Sequence, residues 1–128
     1  MPVDTMQSVK PSYRDEQMEV DGVRAEVRVN SQKLVLTRKE FELLALLAAN
    51  EGEILRREEL MMRIWGYSMQ IRTRTLDVHI RRLRAKIGEY GEPCIETVFG
   101  VGYRFQRFRV SFARPVFTLA MIPAQVTA

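Results

Sequence analysis

The 128 residues predict an α+β fold in which a small antiparallel sheet is followed by three helices and a closing β-hairpin. Three observations carry that expectation. Short alternating stretches broken by Asp21-Gly22 and Asn30-Ser31 occupy the early part of the chain. Two segments with helically spaced apolar residues follow, and then a third whose apolar stripe is narrow and whose other faces are basic. Finally, Gly100-Val101-Gly102 separates two more alternating stretches.

Each element has its own local cause. Residues 1–17 are polar, carry Pro2 and Pro11 and lack periodicity, so they are expected to form a linker or disordered arm. Structure is expected from Met18 onward, with residues 18–20, 25–29 and 33–36 as a meander in which Val27 and Val29 share a face. Thr37 and Glu40 have the spacing of a capping box, which satisfies free backbone N–H groups where the first helix starts. Phe41, Leu44, Leu47 and Ala48 form its buried face, and residues 50–52 stop it. A second helix fits residues 57–65, with Glu58 and Glu59 near its positive end and Leu60, Met61, Ile64 and Trp65 available for packing. Gly66 ends it, residues 67–71 connect, Thr73 caps the third helix, and residues 88–93 break that helix. Residues 95–99 and 103–106 read as a hairpin. Its glycines are expected to supply unusual backbone angles rather than a dinucleotide loop, because no helix follows them. The domain is thus expected over 18–106, leaving 107–128 as a tail with no assigned role. Its longest apolar stretch, 116–122, lies between Pro115 and Pro123 and is too short to cross a bilayer.

The third helix is the most informative part. At 100° per residue, Leu76, Ile80, Leu83 and Ile87 fall within a wedge about 60° wide that can only face a core. Arg74, Val78, Arg81, Arg82 and Ala85 project from the far side, Arg72, Arg84 and Lys86 lie on the flanks, and Asp77 is the single acid. A solvated surface helix usually interleaves glutamate with lysine at i,i+4, and this one does not. Arginines around one small apolar group suit a DNA major groove, where a guanidinium grips O6 and N7 of guanine and a valine packs on a thymine methyl. Arg74 and Arg81 point most directly away from the core and are expected at bases; Arg72, Arg84 and Lys86 are expected at phosphates. Two helices before a basic one match a helix-turn-helix, and a following hairpin is what winged variants carry.

Charge distribution agrees. The net charge of +4 divides into −2 over residues 1–71 and +6 over residues 72–128, so a polyanion is drawn to the C-terminal half. One cysteine, Cys94, permits no internal disulfide and reads as a packed thiol in an intracellular, cytoplasmic protein. A single histidine gives no metal cluster of recognisable spacing, and no carboxylate cluster suits Mg²⁺, which argues against a nuclease. His79 sits at the edge of the apolar stripe, where a structural hydrogen bond or a phosphate contact is expected rather than catalysis. No catalytic residue, metal, cofactor or membrane segment is expected. The N-terminal residues lack the basic and apolar regions of a signal peptide.

Four separated strings also carry a family resemblance: T-R-K-E-F-E-L-L-A-L-L, the W-G at 65–66, R-T-L-D-V-H-I-R-R-L-R-A-K-I, and E-T-V-F-G-V-G-Y-R-F. Together they resemble the winged-helix effector domain of OmpR/PhoB-type response regulators over residues 18–106. The resemblance implies a four-stranded N-terminal sheet on three helices, a third helix in the major groove, and a wing at the adjacent minor groove. It implies groove-facing or phosphate-contacting positions for Arg74, Val78, Arg81 and Arg82 and phosphate contacts for His79 and Arg84; with Arg72, Thr75 and Lys86 on the helix and Thr97, Phe99, Tyr103 and Arg104 on the wing, these make up the expected DNA-binding set. The loop Tyr67, Ser68, Met69, Gln70 and Ile71 resembles the segment through which family members touch RNA polymerase. Two features depart from the pattern. Phe99 stands where arginine is frequent, and the family's receiver domain is absent from this sequence, so it is either an excised effector half or a stand-alone binder.

The expected function is sequence-specific double-stranded DNA binding by a bacterial-type transcription regulator. A monomer alone is expected to pair in tandem on directly repeated half-sites about 10 to 11 base pairs apart. The rival class is a winged-helix protein-interaction module, disfavoured by the basic residues crowded onto one helix.

Overall fold

The computed structural model describes residues 12–66 and 74–107. Its first layer is an antiparallel sheet of β1 (Tyr13–Arg14), β2 (Met18–Asp21), β3 (Glu26–Val29) and β4 (Gln32–Lys33), in that spatial order. Tyr13 pairs with Val20, Val20 with Val27, and Val29 with Gln32. The β2–β3 connection is tied by Asp21, whose Oδ1 accepts from the backbone N–H groups of Val23 and Arg24. Asn30 and Ser31 both take positive φ, 52° and 68°, as a two-residue hairpin requires.

Two strand expectations need correction. The sheet starts at Tyr13 rather than Met18, because a two-residue strand shows no alternation and is defined only by its partner, β2. Tyr13 is nonetheless part of the core, with its ring edge-on to Phe105 at 4.9 Å. The strand expected at 33–36 is confined to Gln32–Lys33; Leu34 still donates its N–H to Val27 O, but Val35 turns out to solvent at 85% exposure.

Helix α1 (Arg38–Ala49) opens with the capping box in full. Thr37 Oγ1 accepts from Glu40 N, and Glu40 Oε1 accepts from Thr37 N at 2.9 Å. Phe41, Leu44, Leu47 and Ala48 are buried as expected, joined by Leu43, Ala45 and Glu40. A short strand, β5 (Ile54–Arg56), then leads directly into α2 (Arg57–Trp65), which ends at Gly66 in the left-handed conformation, φ 75°. Strand β5 gives no alternation signal of its own and went unpredicted.

Helix α3 (Arg74–Ile87) buries the predicted stripe, with Leu76 and Leu83 at 0% exposure. Gly88, at φ 87°, ends it, and the expected break is filled by a 3-10 turn (Gly88–Tyr90) and one helical turn (Gly91–Cys94). The wing follows as β6 (Ile95–Val98) and β7 (Gly102–Phe105), with β5 completing a three-stranded sheet in the order β5-β7-β6. The two wing glycines act differently. Gly100 takes the left-handed turn, φ 79°, whereas Gly102 has no Cβ because one would lie 1.9 Å from Leu55 O. Among the described residues, no helix is long and apolar enough to cross a membrane.

Candidate nucleic-acid interface

Helix α3 lies across the core with its buried stripe against α1 and α2, which fixes the azimuth of every other residue on it. Arg74, Thr75, Arg81, Arg82, Ala85 and Lys86 are exposed, while Val78, His79, Asp77 and Arg84 are half-buried. The guanidiniums of Arg74, Arg81 and Arg82 have no hydrogen-bond or ion-pair partner among the described residues. Most other arginines and lysines of the domain are engaged: Arg14 with Glu19, Arg38 and Lys39 with Glu42, Arg63 with Glu59, Arg107 with Glu51. Unneutralised positive charge is therefore concentrated on the outer face of α3.

The remaining basic residues of α3 are held by the fold. Lys86 Nζ lies 2.7 Å from Glu40 Oε1, a carboxylate whose side chain is only 2% exposed. Burial on its own would raise the Glu40 carboxyl, but the hydrogen bonds from Lys86 and from the Thr37 N–H outweigh it and hold the group below the ordinary carboxylate value. Arg84 turns toward the wing, donating from Nε and Nη2 to Ile95 O at 3.0 and 2.6 Å and from Nη2 to Thr97 Oγ1 at 2.8 Å. His79 Nδ1 is 2.8 Å from Thr75 O, and its ring meets Trp65 edge-on at 4.9 Å, so one side of the imidazole is structural.

On the wing, the expected polar groups are also engaged. Thr97 accepts from Arg84, and Arg104 donates twice to Glu96 Oε1, at 2.9 and 2.8 Å. Tyr103 is 4% exposed; its hydroxyl donates to Asp77 Oδ1, which also accepts from Arg57. Burial first, and then the Asp77 carboxylate, push the Tyr103 phenol above its usual range. What the wing presents outward is apolar: Phe99, at 88% exposure, and Val101, at 40%. The predicted set is thus split by the structure. Arg74, Thr75, Arg81 and Arg82 lie open on α3 and Phe99 lies open on the tip, whereas Arg84, Lys86, Thr97, Tyr103 and Arg104 are tied to other protein groups. Arg72, the cap Thr73 and the loop Tyr67 to Ile71 lie outside the described residues.

One residue of this surface escaped the sequence reading. Arg56 is exposed and pairs in register with Gly102, which sets its cation beside the wing turn with no acidic partner among the described residues. Its place depends on β5, which left no signal in the sequence.

Comparison with known proteins agrees with this geometry. Residues 31–105 match the family described as "Transcriptional regulatory protein, C terminal". The chain is similar to the response regulator ArlR of Staphylococcus saprophyticus, 44% identical over 85 residues that make up 66% of this chain and 39% of that protein. The ArlR protein of Staphylococcus haemolyticus is 39% identical over 92 residues, 67% of this chain and 42% of that protein. The chain therefore spans about two-fifths of the length of these relatives. Among solved structures, the DNA binding domain of CpxR from E. coli superposes with a TM-score of 0.68 at 32% identity, covering 75% of this chain and 96% of that one. The Klebsiella pneumoniae RstA DNA-binding domain, solved in complex with the RstA box, gives 0.67 at 30% identity over 74% of this chain and 96% of that one. With its core, its basic helix and its wing in the family's order, the chain belongs to the C-terminal domains of transcriptional regulatory proteins and has their winged helix-turn-helix fold.

Proposed function

We propose that this domain binds double-stranded DNA in a sequence-specific manner, as the effector part of a response regulator or of an orphan relative. The observation that carries the reading is the outer face of α3, where Arg74, Arg81 and Arg82 stand exposed and without partners among the described residues around half-buried Val78. In a major groove, Arg74 and Arg81 would meet base edges and Val78 a thymine methyl, with Arg82, Thr75 and the free side of His79 at phosphates. Arg56 would add a phosphate contact beside the wing, and Phe99 would lie on the sugar-phosphate edge of the neighbouring minor groove. The RstA DNA-binding domain, similar in fold, has been solved in complex with the RstA box, which supports the DNA-binding reading.

In this reading a single copy engages one half-site, and two copies sit in tandem on direct repeats about one helical turn apart. A contact to RNA polymerase through residues 67–71 belongs to the same proposal, as does action in the cytoplasm. No step of catalysis is involved. The test is fluorescence anisotropy against labelled duplex at two salt concentrations. A steep loss of affinity with salt is expected, because phosphate contacts release counterions; absence of binding even at low salt would favour a protein-interaction platform.

A further inference from the structure

Tyr103 sits where three parts of the domain meet. Its hydroxyl donates to Asp77 on α3, and its ring lies under two guanidiniums, Arg57 of α2 with Cζ 5.2 Å from the ring centroid and Arg84 of α3 at 5.8 Å. Arg57 also donates to Asp77 from its side chain and, through its backbone N–H, to Val101 O in the wing turn at 3.1 Å. Arg84 extends the link to β6 through Ile95 O and Thr97 Oγ1. The start of α2, the middle of α3 and both wing strands therefore share one polar knot with Tyr103 at its centre.

We propose that Tyr103 is a positioning residue that fastens the wing to α3, so that the tip at Phe99 keeps a fixed offset from the groove-facing arginines. The proposal rests on the DNA-binding reading above. A core-filling role needs only the ring, which a phenylalanine supplies; the hydroxyl instead reaches the single acid of α3. That choice has an electrostatic consequence, since an unengaged carboxylate beside Arg74 and Arg81 would repel phosphates. Held by Arg57 and Tyr103, Asp77 is neutralised and oriented away from that role. Preorganising two contact surfaces in this way avoids ordering the wing at the moment of binding.

The test compares the wild type with Tyr103→Phe, using a duplex selected from a randomised pool by the wild-type chain and versions of it shortened from each end. Shortening the wing side is expected to weaken the wild type about tenfold, the worth of the Arg56 phosphate contact beside the wing that is lost with it. Tyr103→Phe is expected to bind the full duplex about tenfold more weakly and to lose little more on shortening, with backbone order parameters falling at residues 99–102 and unchanged in α3. Asp77→Ala, which removes the acceptor shared by Tyr103 and Arg57, is expected likewise to lose little more on shortening and serves if the first variant folds poorly. Wild-type affinity in both variants, or the same loss on shortening as in the wild type, would overturn the proposal whatever happens to the melting temperature. A pool that yields no enriched duplex would instead overturn the DNA-binding reading, and this proposal with it.

Discussion

Lys86, in the last turn of α3, closes an ion pair of 2.7 Å with Glu40, the buried capping residue in the first turn of α1. The pair ties the two helices end to start. It also changes what Lys86 is expected to do, since a cation on the flank of α3 reads from sequence as a phosphate contact. Lys86→Ala strands a carboxylate that is 1% exposed as a whole residue, which should lower stability by about 1 to 3 kcal/mol. Chemical denaturation checks this, and adding Glu40→Gln should recover most of the loss. Undiminished stability with weaker binding on all duplexes would return Lys86 to the DNA surface.

The same pair predicts a pH dependence. The Glu40 carboxyl is held below its ordinary value in the folded state. A depressed carboxylate contributes stability that is present above its unfolded value, about 4.3, and is lost as pH falls through the lower folded value. Denaturation from pH 7 to pH 3 should therefore show a steeper acid loss in the wild type than in Glu40→Gln. Parallel curves would mean that the carboxylate gains nothing from Lys86 and the Thr37 cap.

Arg81 is exposed on the outer face of α3 with no partner among the described residues. Arg81→Ala should relax sequence preference by about 1 to 3 kcal/mol at one base position while leaving the fold intact. Competition between the selected duplex and a random one measures this. An equal loss on both would place Arg81 at a phosphate.

Much of this interface was legible from sequence because α3 has a strong period. The stripe Leu76, Ile80, Leu83, Ile87 sets the azimuth of the whole helix, and the capping box at Thr37 and Glu40 set the start of α1. What the period could not give is where a long side chain ends. The Cβ atoms of Arg84 and Lys86 lie on the flanks as expected, yet their heads reach back to Ile95 O and to Glu40. Tyr103 and Arg104 alternate along β7, but only the packing of α2 and α3 shows that Tyr103 points inward and that Glu96 occupies Arg104. Strands β1 and β5, of two and three residues, are defined by their partners and have no pattern of their own.

The wing tip carries a further prediction. Phe99 is 88% exposed and brings no charge, while Arg104 is paired with Glu96, so the wing should contribute little to the salt dependence of binding. Phe99→Arg places a cation at the tip and should tighten binding, most on A·T-rich flanks, and steepen the salt slope by about one unit. Unchanged affinity and slope would show that the tip stays clear of the phosphates.

The central claim is that DNA lies on the outer face of α3 and on the wing. An amide chemical-shift titration with the selected duplex tests it most directly. The account predicts that the largest shifts fall on Arg74, Thr75, Val78, Arg81, Arg82 and the wing turn from Phe99 to Val101, with β1 to β4 almost silent. Shifts centred instead on the groove of about 600 Å³ between Leu36, Phe41, Leu46 and Ile64, with α3 unaffected, would contradict it and move the binding surface to the cleft between α1, the end of α2 and the β2–β3 turn.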